Sequence, residues 1–110
     1  MPLCRFKVQG VVWLYPGDSS AWHFVTLPRS ASEEIRELTR SVKRGWGSVP
    51  VRATLGKTTW ETSMFPDRKA NAYLLPLKAQ VRKRERITAG DTVLMYLDIG
   101  ERLENSVNLA

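Results

Sequence analysis

The chain has 110 residues, enough for one domain, and its hydrophobic content of 43% excludes disordered and collagen-like classes. Its single cysteine excludes an internal disulfide framework and predicts a reducing, cytoplasmic location. The 17 lysine and arginine residues against 11 acidic residues give a net charge of +6, which favours anionic partners.

The first two predicted strands form a hairpin. Residues 6–15 read as a long strand, residues 16–20 as a turn, and residues 21–27 as the returning strand. In the returning strand, Trp22, Phe24 and Thr26 fall on one face, and His23, Val25 and Leu27 on the other. Apolar residues on both faces favour a closed or sandwiched sheet.

A helix follows the hairpin. Ser30 and Ser32 are both suitable N-cap residues, and Glu33 lies at the capping-box distance from Ser30. We expect the helix to end at Gly45. The apolar residues that share one face of it are Ile35, Leu38 and Val42.

A second hairpin is predicted from two runs at residues 49–55 and 58–65. Gly56 suits the first central position of a type II′ turn, which needs a positive φ. A two-residue turn then fixes the register of the strands. The predicted opposite pairs are Leu55–Thr58, Ala53–Trp60, Val51–Thr62 and Val49–Met64 on one face, and Arg52–Glu61, a surface ion pair, on the other.

The remaining chain predicts two more strands and a short basic helix. Residues 72–78 read as a strand, in which Pro76 indicates a sheet edge or a bulge because proline has no N–H to donate. Residues 79–86 form the basic helix, and residues 92–99 form the last strand. Asp91, in the turn before it, is expected to cap local backbone amides.

These elements predict a mainly β fold: a small closed β-barrel of about six strands with one packed α-helix and one short basic helix. We expect residues 1–100 to form this single domain and residues 101–110 to be a polar tail, with no second domain after it. No apolar run is long enough to span a bilayer and no secretory signal is visible, so no membrane partner is expected.

Catalytic and cofactor motifs are not recognisable in the sequence. Gly56-Lys57-Thr58 resembles the end of a P-loop, but the earlier glycine is missing and the triplet lies in a hairpin turn. His23 is the only histidine, and no metal-ligand spacing surrounds it. The sequence therefore favours a binding protein over an enzyme and predicts no cofactor, metal or catalytic residue.

The best candidate site takes a small anionic or polar ligand. Lys78 and Arg82 lie four residues apart at the start of the basic helix, and a guanidinium can grip a phosphate or carboxylate with two hydrogen bonds. Hydroxyl donors and tryptophans on nearby strands would complete the pocket. The predicted ligand-binding residues are Lys78, Arg82, Trp60, Thr62, Ser63, Arg52 and Trp46.

Two other functions remain open from the sequence. The basic run at residues 82–86 is suited to nucleic acid, and four tryptophans on a small barrel could stack on bases. An exposed strand could instead bind another protein. The sequence does not indicate an oligomeric state.

Several segments together resemble a known family. They are Trp22-x-Phe24-Val25-x-Leu27-Pro28, Gly45-Trp46-Gly47-Ser48-Val49-Pro50, Trp60-x-Thr62-Ser63-x-Phe65-Pro66, Tyr73-x-Leu75-Pro76-x-Lys78 and Gly90-Asp91-Thr92-Val93. Their order and spacing resemble the domain-of-unknown-function family DUF1905. The resemblance implies a small closed β-barrel with one packed helix, found alone or fused to a domain similar to the bacteriocin-protection (YdeI/OmpD-associated-like) proteins. It implies no catalytic residues.

Overall fold

In the computed structural model the described residues are 3–16, 22–40 and 47–100. They form six strands and two helices. The strands are β1 (Cys4–Leu14), β2 (His23–Thr26), β3 (Val49–Leu55), β4 (Thr58–Asp67), β5 (Ala72–Pro76) and β6 (Thr92–Ile99), and the helices are α1 (Arg29–Leu38) and α2 (Ala79–Glu85).

The strands close into a barrel in the order β1-β2-β5-β4-β3-β6, and each neighbouring pair is antiparallel. This confirms the predicted mainly β fold with a small closed barrel. Closure depends on β1, which pairs with β6 through Val11 and with β2 from Val12 onward. Gly10 lies beside this change of partner, where a Cβ would stand only 2.6 Å from Cγ1 of Val25. The missing side chain lets the two strands approach there.

The predicted β3–β4 hairpin is confirmed in its turn and in its register. Gly56 has a φ of +60°, and Lys57 does not have a positive φ. A type II′ turn requires this combination. The observed partners are Leu55–Thr58, Ala53–Trp60, Val51–Thr62, Val49–Met64 and Arg52–Glu61.

The two helices are attached to the barrel by buried polar contacts as well as by apolar packing. In α1 the buried Ser32 accepts a hydrogen bond at Oγ from the backbone N–H of Tyr73 in β5, at 3.0 Å. In α2 the Glu85 carboxylate accepts a hydrogen bond from the Thr58 hydroxyl at 2.6 Å. Ile35 and Val81 carry the apolar contacts of α1 and α2 into the core.

The predicted N-cap of α1 is wrong. The helix begins at Arg29, with Pro28 in the N-cap position and no side-chain hydrogen bond at the cap. Ser30 is therefore inside the helix, and the hydroxyl of Ser32 is held by β5 instead of by the helix end. A contact distant in sequence has replaced the local cap that the spacing suggested.

The predicted apolar face of α1 is correct for Ile35, which is buried, and wrong for Leu38, which is 37% exposed. The helix ends at Leu38, and the Thr39 hydroxyl bonds to the carbonyl of Ile35 at 2.7 Å. Val42 and the predicted stop at Gly45 lie outside the described residues.

The sequence predicts a sheet edge or a bulge at Pro76, and Pro76 has a ladder partner on one side only, because the β4–β5 pairs involve residues 72–74 of β5. Pro76 is the last residue of β5 and lies opposite Phe24 of β2, inside a closed barrel. The ladder continues past the proline, because the N–H of Leu77 donates to the carbonyl of His23 at 3.0 Å. The expected local cap by Asp91 is confirmed, since its carboxylate accepts the N–H of Thr88 at 2.9 Å.

Candidate functional site

The outer surface of β1, β6, β3 and β4 carries an ionic row, made of Arg5, Asp98, Arg52 and Glu61. Register places these residues side by side on neighbouring strands. Arg5 grips Asp98 with two hydrogen bonds, Nε to Oδ1 at 2.8 Å and Nη2 to Oδ2 at 3.1 Å. Arg52 pairs with Glu61 at 3.4 Å, which confirms the predicted cross-strand ion pair. The charged side chains of this row are therefore paired with one another.

Electrostatics in the ionic row are strongest at Asp98, whose side chain is only 10% exposed. The hydrogen bonds from Arg5 lower the pKa of Asp98 against the opposing effect of burial, and the charges of Arg5 and Arg52 lower it further. The same contact raises the pKa of Arg5, whose guanidinium also lies over the ring of Tyr96 at 5.4 Å from the centroid.

A second part of the barrel surface is aromatic. Trp13 and Tyr15 from β1 and its end lie beside Phe24 of β2, with ring centroids 5.3 and 6.2 Å from that of Phe24. Trp22 stacks on Phe24, with an interplanar angle of 10° and centroids 6.1 Å apart. A backbone hydrogen bond of 2.8 Å from Tyr15 N to Trp22 O holds the two ends of this hairpin together.

Three of these rings, Tyr15, Trp22 and Phe24, form with Phe65 of β4 what we call the aromatic patch. They line an open groove of about 360 Å³. Tyr15, Trp22 and Phe65 are 48%, 52% and 44% exposed, far more than core rings such as Tyr73 at 1%. Exposed rings that cluster in this way mark interaction surfaces more often than isolated ones do.

A second groove, the cationic groove, shares Trp22 with the aromatic patch. It has a volume of about 300 Å³. Trp22 and His23 lie at the start of β2, Pro76 and Leu77 at the end of β5, and Lys78 and Arg82 at α2. Flat aromatic surface and positive charge therefore meet at one place. The positive charge at this place is carried by the side chains of Lys78 and Arg82.

The two cations of this groove are anchored by backbone carbonyls. Lys78 donates from Nζ to the carbonyl of Glu61 at 3.4 Å, and Arg82 donates from Nε to the carbonyl of Leu77 at 3.3 Å. Among residues 3–16, 22–40 and 47–100, no carboxylate forms an ion pair with either of them. A neutral carbonyl positions a charge without cancelling it, so both remain available to an anion.

The structure brings together some of the predicted site residues and separates others. Lys78 and Arg82 line one groove, and neither Thr62 nor Ser63 does so. Trp60 is 9% exposed in the core, and its Nε1–H has no acceptor among the described residues. Arg52 belongs to the ionic row, and Trp46 lies outside the described residues.

Sequence reasoning missed the aromatic patch. The alternation of Trp22 and Phe24 against the buried Val25 and Leu27 was visible, and it indicated that two rings point away from the core. Apolar residues on both faces of a strand also fit a strand that is covered on both faces by other parts of the protein. An exposed aromatic patch is distinguished from a covered strand face by Phe65, which joins the patch from β4 and is distant in sequence.

Neither a group of metal ligands nor a membrane-spanning helix is present in the part of the chain that the structure describes. No group of three or more histidine, cysteine, aspartate or glutamate side chains in it is placed to hold a metal ion. Neither described helix is long and apolar enough to cross a bilayer.

The fold and the surface define the class: a small antiparallel β-barrel with two helices in its described part, which carries an ionic row and a groove that is both aromatic and cationic. The family model described as "Domain of unknown function (DUF1905)" matches residues 9–97. The chain belongs to this family, which confirms the resemblance drawn from the sequence. No curated protein matches the chain.

Proposed function

We propose that the chain is a binding module for a small anionic ligand that also carries a flat apolar group. The observation that carries the proposal is Trp22, which lines both the aromatic patch and the cationic groove. A ligand whose charge lies between Lys78 and Arg82 would have its apolar portion beside an exposed indole.

The chemistry of the groove suits this combination. Arg82 is half-buried and its Nε is already engaged, so its terminal nitrogens can form paired hydrogen bonds with a phosphate or carboxylate. Lys78 adds a second charge at the mouth of the groove. The ring of Trp22 offers a face for stacking, at little entropic cost because an aromatic side chain has only two rotatable bonds.

The contrast with the ionic row supports this choice of site. Arg5 and Arg52 are neutralised by carboxylates at 2.8 and 3.4 Å, and an incoming anion would have to displace these partners. Lys78 and Arg82 have only carbonyl partners among the described residues. Positive charge without a carboxylate partner among the described residues therefore lies beside the aromatic rings.

Isothermal titration calorimetry with adenosine monophosphate, adenosine and inorganic phosphate tests the proposal. The monophosphate should bind more tightly than either of its two parts, because only it engages the ring and the cations together. Arg82→Ala should weaken its binding about 10- to 100-fold, the usual effect of losing hydrogen bonds to a charged group. Trp22→Ala should weaken it about 5-fold or more, and Trp22→Phe should restore most of the loss.

Arg52→Ala is the matched control, since it removes an arginine of the ionic row and should leave binding unchanged. Both tested side chains are at the surface or half-buried, so the variants should retain the wild-type circular dichroism spectrum. The proposal fails if none of the three probes binds at millimolar concentration, or if Arg52→Ala and Arg82→Ala have equal effects.

A further inference from the structure

A third groove extends the proposed binding surface along α2. It has a volume of about 350 Å³ and is lined by Ala79, Arg82, Lys83, Arg86, Ile87 and Thr88. It shares Ala79 and Arg82 with the cationic groove, as that groove shares Trp22 with the aromatic patch. The three grooves therefore adjoin one another, and we call them together the track, with rings at one end and cations at the other.

The cations of this track are regularly spaced. In the sequence, Lys78, Arg82 and Arg86 recur every fourth residue. Lys78 and Arg82 line the cationic groove, and Arg82 and Arg86 line the third groove, so Arg82 links the two. Lys78 and Arg86 are the N-cap and C-cap of a seven-residue helix, which is about 10 Å long. A ligand with a single phosphate can reach one or two of these side chains, whereas a chain of phosphates can follow all three.

Arg86 is fixed at its place by the backbone. It is the C-cap of α2 and has a left-handed conformation with a φ of 55°, after which the N–H of Ile87 returns to the carbonyl of Arg82 at 2.8 Å. Ile87 is buried, so this turn is anchored in the core. Within the described residues, neither Lys83 nor Arg86 has a carboxylate partner.

From these observations we infer that the track binds single-stranded nucleic acid, with bases on the aromatic patch and phosphates along Lys78, Arg82 and Arg86. The inference rests on the proposed function, because the first nucleotide would occupy the proposed anion site. Exposed rings next to a line of cations are the two parts that single-strand readers combine. A duplex hides the faces of its bases within the stack, so it could use only the cations.

Fluorescence anisotropy with labelled oligothymidylates of increasing length tests the inference against thymidine monophosphate. Affinity should rise with length until the track is filled and then level off. The logarithm of the binding constant should fall with the logarithm of salt concentration with a slope of about −2, since each phosphate contact on a single strand contributes about −0.7. A duplex of equal length should bind more weakly than the single strand.

Two variants separate the parts of the track. Arg86→Ala should reduce the salt slope by about 0.7 and leave binding of the monophosphate unchanged, because it lies beyond the first site. Trp22→Ala should weaken oligonucleotide binding by about 5-fold or more while leaving the salt slope in place. Lys7→Ala removes a cation from β1 opposite Tyr96 on β6, and should alter neither quantity.

The outcomes distinguish the two proposals. If the monophosphate binds and longer oligomers bind no more tightly, the small-ligand site stands and the nucleic-acid track is overturned. If the duplex binds as well as the single strand, or if vesicles of anionic phospholipid compete fully with the oligomer, the base-stacking role of the patch is overturned. If neither monophosphate nor oligomer binds, both proposals fail.

Discussion

Asp98 lies in the ionic row between two arginines, with a side chain that is almost buried. Its lowered pKa means that the folded protein binds a proton there less readily than the unfolded chain does. The pairing therefore adds stability above the ordinary aspartate pKa of about 3.9, and this contribution is lost as the pH falls through the lowered value. The free energy of unfolding therefore decreases in acid, in part because of this one carboxylate.

Asp98→Asn should lower the free energy of unfolding at pH 7 by about 1–3 kcal/mol, because the amide keeps the shape but loses charge-assisted hydrogen bonds. Urea denaturation at a series of pH values should show the gap between wild type and variant narrowing below pH of about 4. A gap that stays constant down to about pH 2 would contradict the role assigned to the charge.

Glu61→Gln is the control for this substitution. Its carboxylate also pairs with an arginine in the row, but it is 49% exposed. Exposed pairs contribute at most about 1 kcal/mol, so the loss should be smaller and should decrease with added salt.

At the scale of elements, the contact between α2 and the β3–β4 hairpin decides where the cationic groove lies. Glu85 reaches over the hairpin turn to the hydroxyl of Thr58, which is 5% exposed. A Cβ at Gly56 would collide with this carboxylate, so the turn residue also makes room for the helix. The hairpin therefore holds the helix that carries Arg82.

Thr58→Val should destabilise the protein by about 1–3 kcal/mol, because the shape is kept while a half-buried carboxylate loses its donor. Hydrogen exchange at the amides of α2 should become faster in the same variant. Thr59→Val is the matched control, since its hydroxyl only meets that of Thr54 at the surface. Equal losses in the two variants, or unchanged exchange in α2, would contradict the anchoring role of Glu85.

Local chemistry made some elements predictable. The turn at Gly56 fixed the hairpin register, and alternation fixed β6 as residues 92–99, because both signals act between near neighbours. The cap of α1 was not predictable in the same way, since the hydroxyl of Ser32 bonds to β5, which lies far along the chain. Local spacing carries no information about such a partner.

The candidate site shows the same division. Lys78 and Arg82 could be predicted because they lie four residues apart in one segment. The aromatic patch draws its rings from β1, β2 and β4, and it exists only once the barrel order is known. The side-chain type of Trp60 predicts a place in the site, whereas its position opposite Ala53 directs its side chain into the core.

At the scale of the whole molecule, one core joins all six strands and both helices. Leu97→Ala, at a fully buried position of β6, should lower the free energy of unfolding by about 2–5 kcal/mol. This is a large share of the roughly 5–15 kcal/mol available to a domain, so tryptophan fluorescence and far-ultraviolet circular dichroism should report one shared, earlier transition.

Leu94→Ala on the same strand is the control, because Leu94 faces outward and is 44% exposed. It should change stability by no more than about 0.5 kcal/mol. Separate transitions for the two probes in Leu97→Ala, or similar losses in both variants, would contradict a single cooperative core.

The seam between β1 and β6, where residues 4–11 pair with residues 92–99, has a consequence for synthesis on the ribosome. Of the described strands, β1 is synthesised first and β6 last, and until β6 is made one side of β1 presents unpaired N–H and C=O groups to other chains. Joining segments so distant in sequence is also slow. A nascent chain of this protein is therefore most vulnerable to aggregation, and most in need of a chaperone, just before β6 emerges.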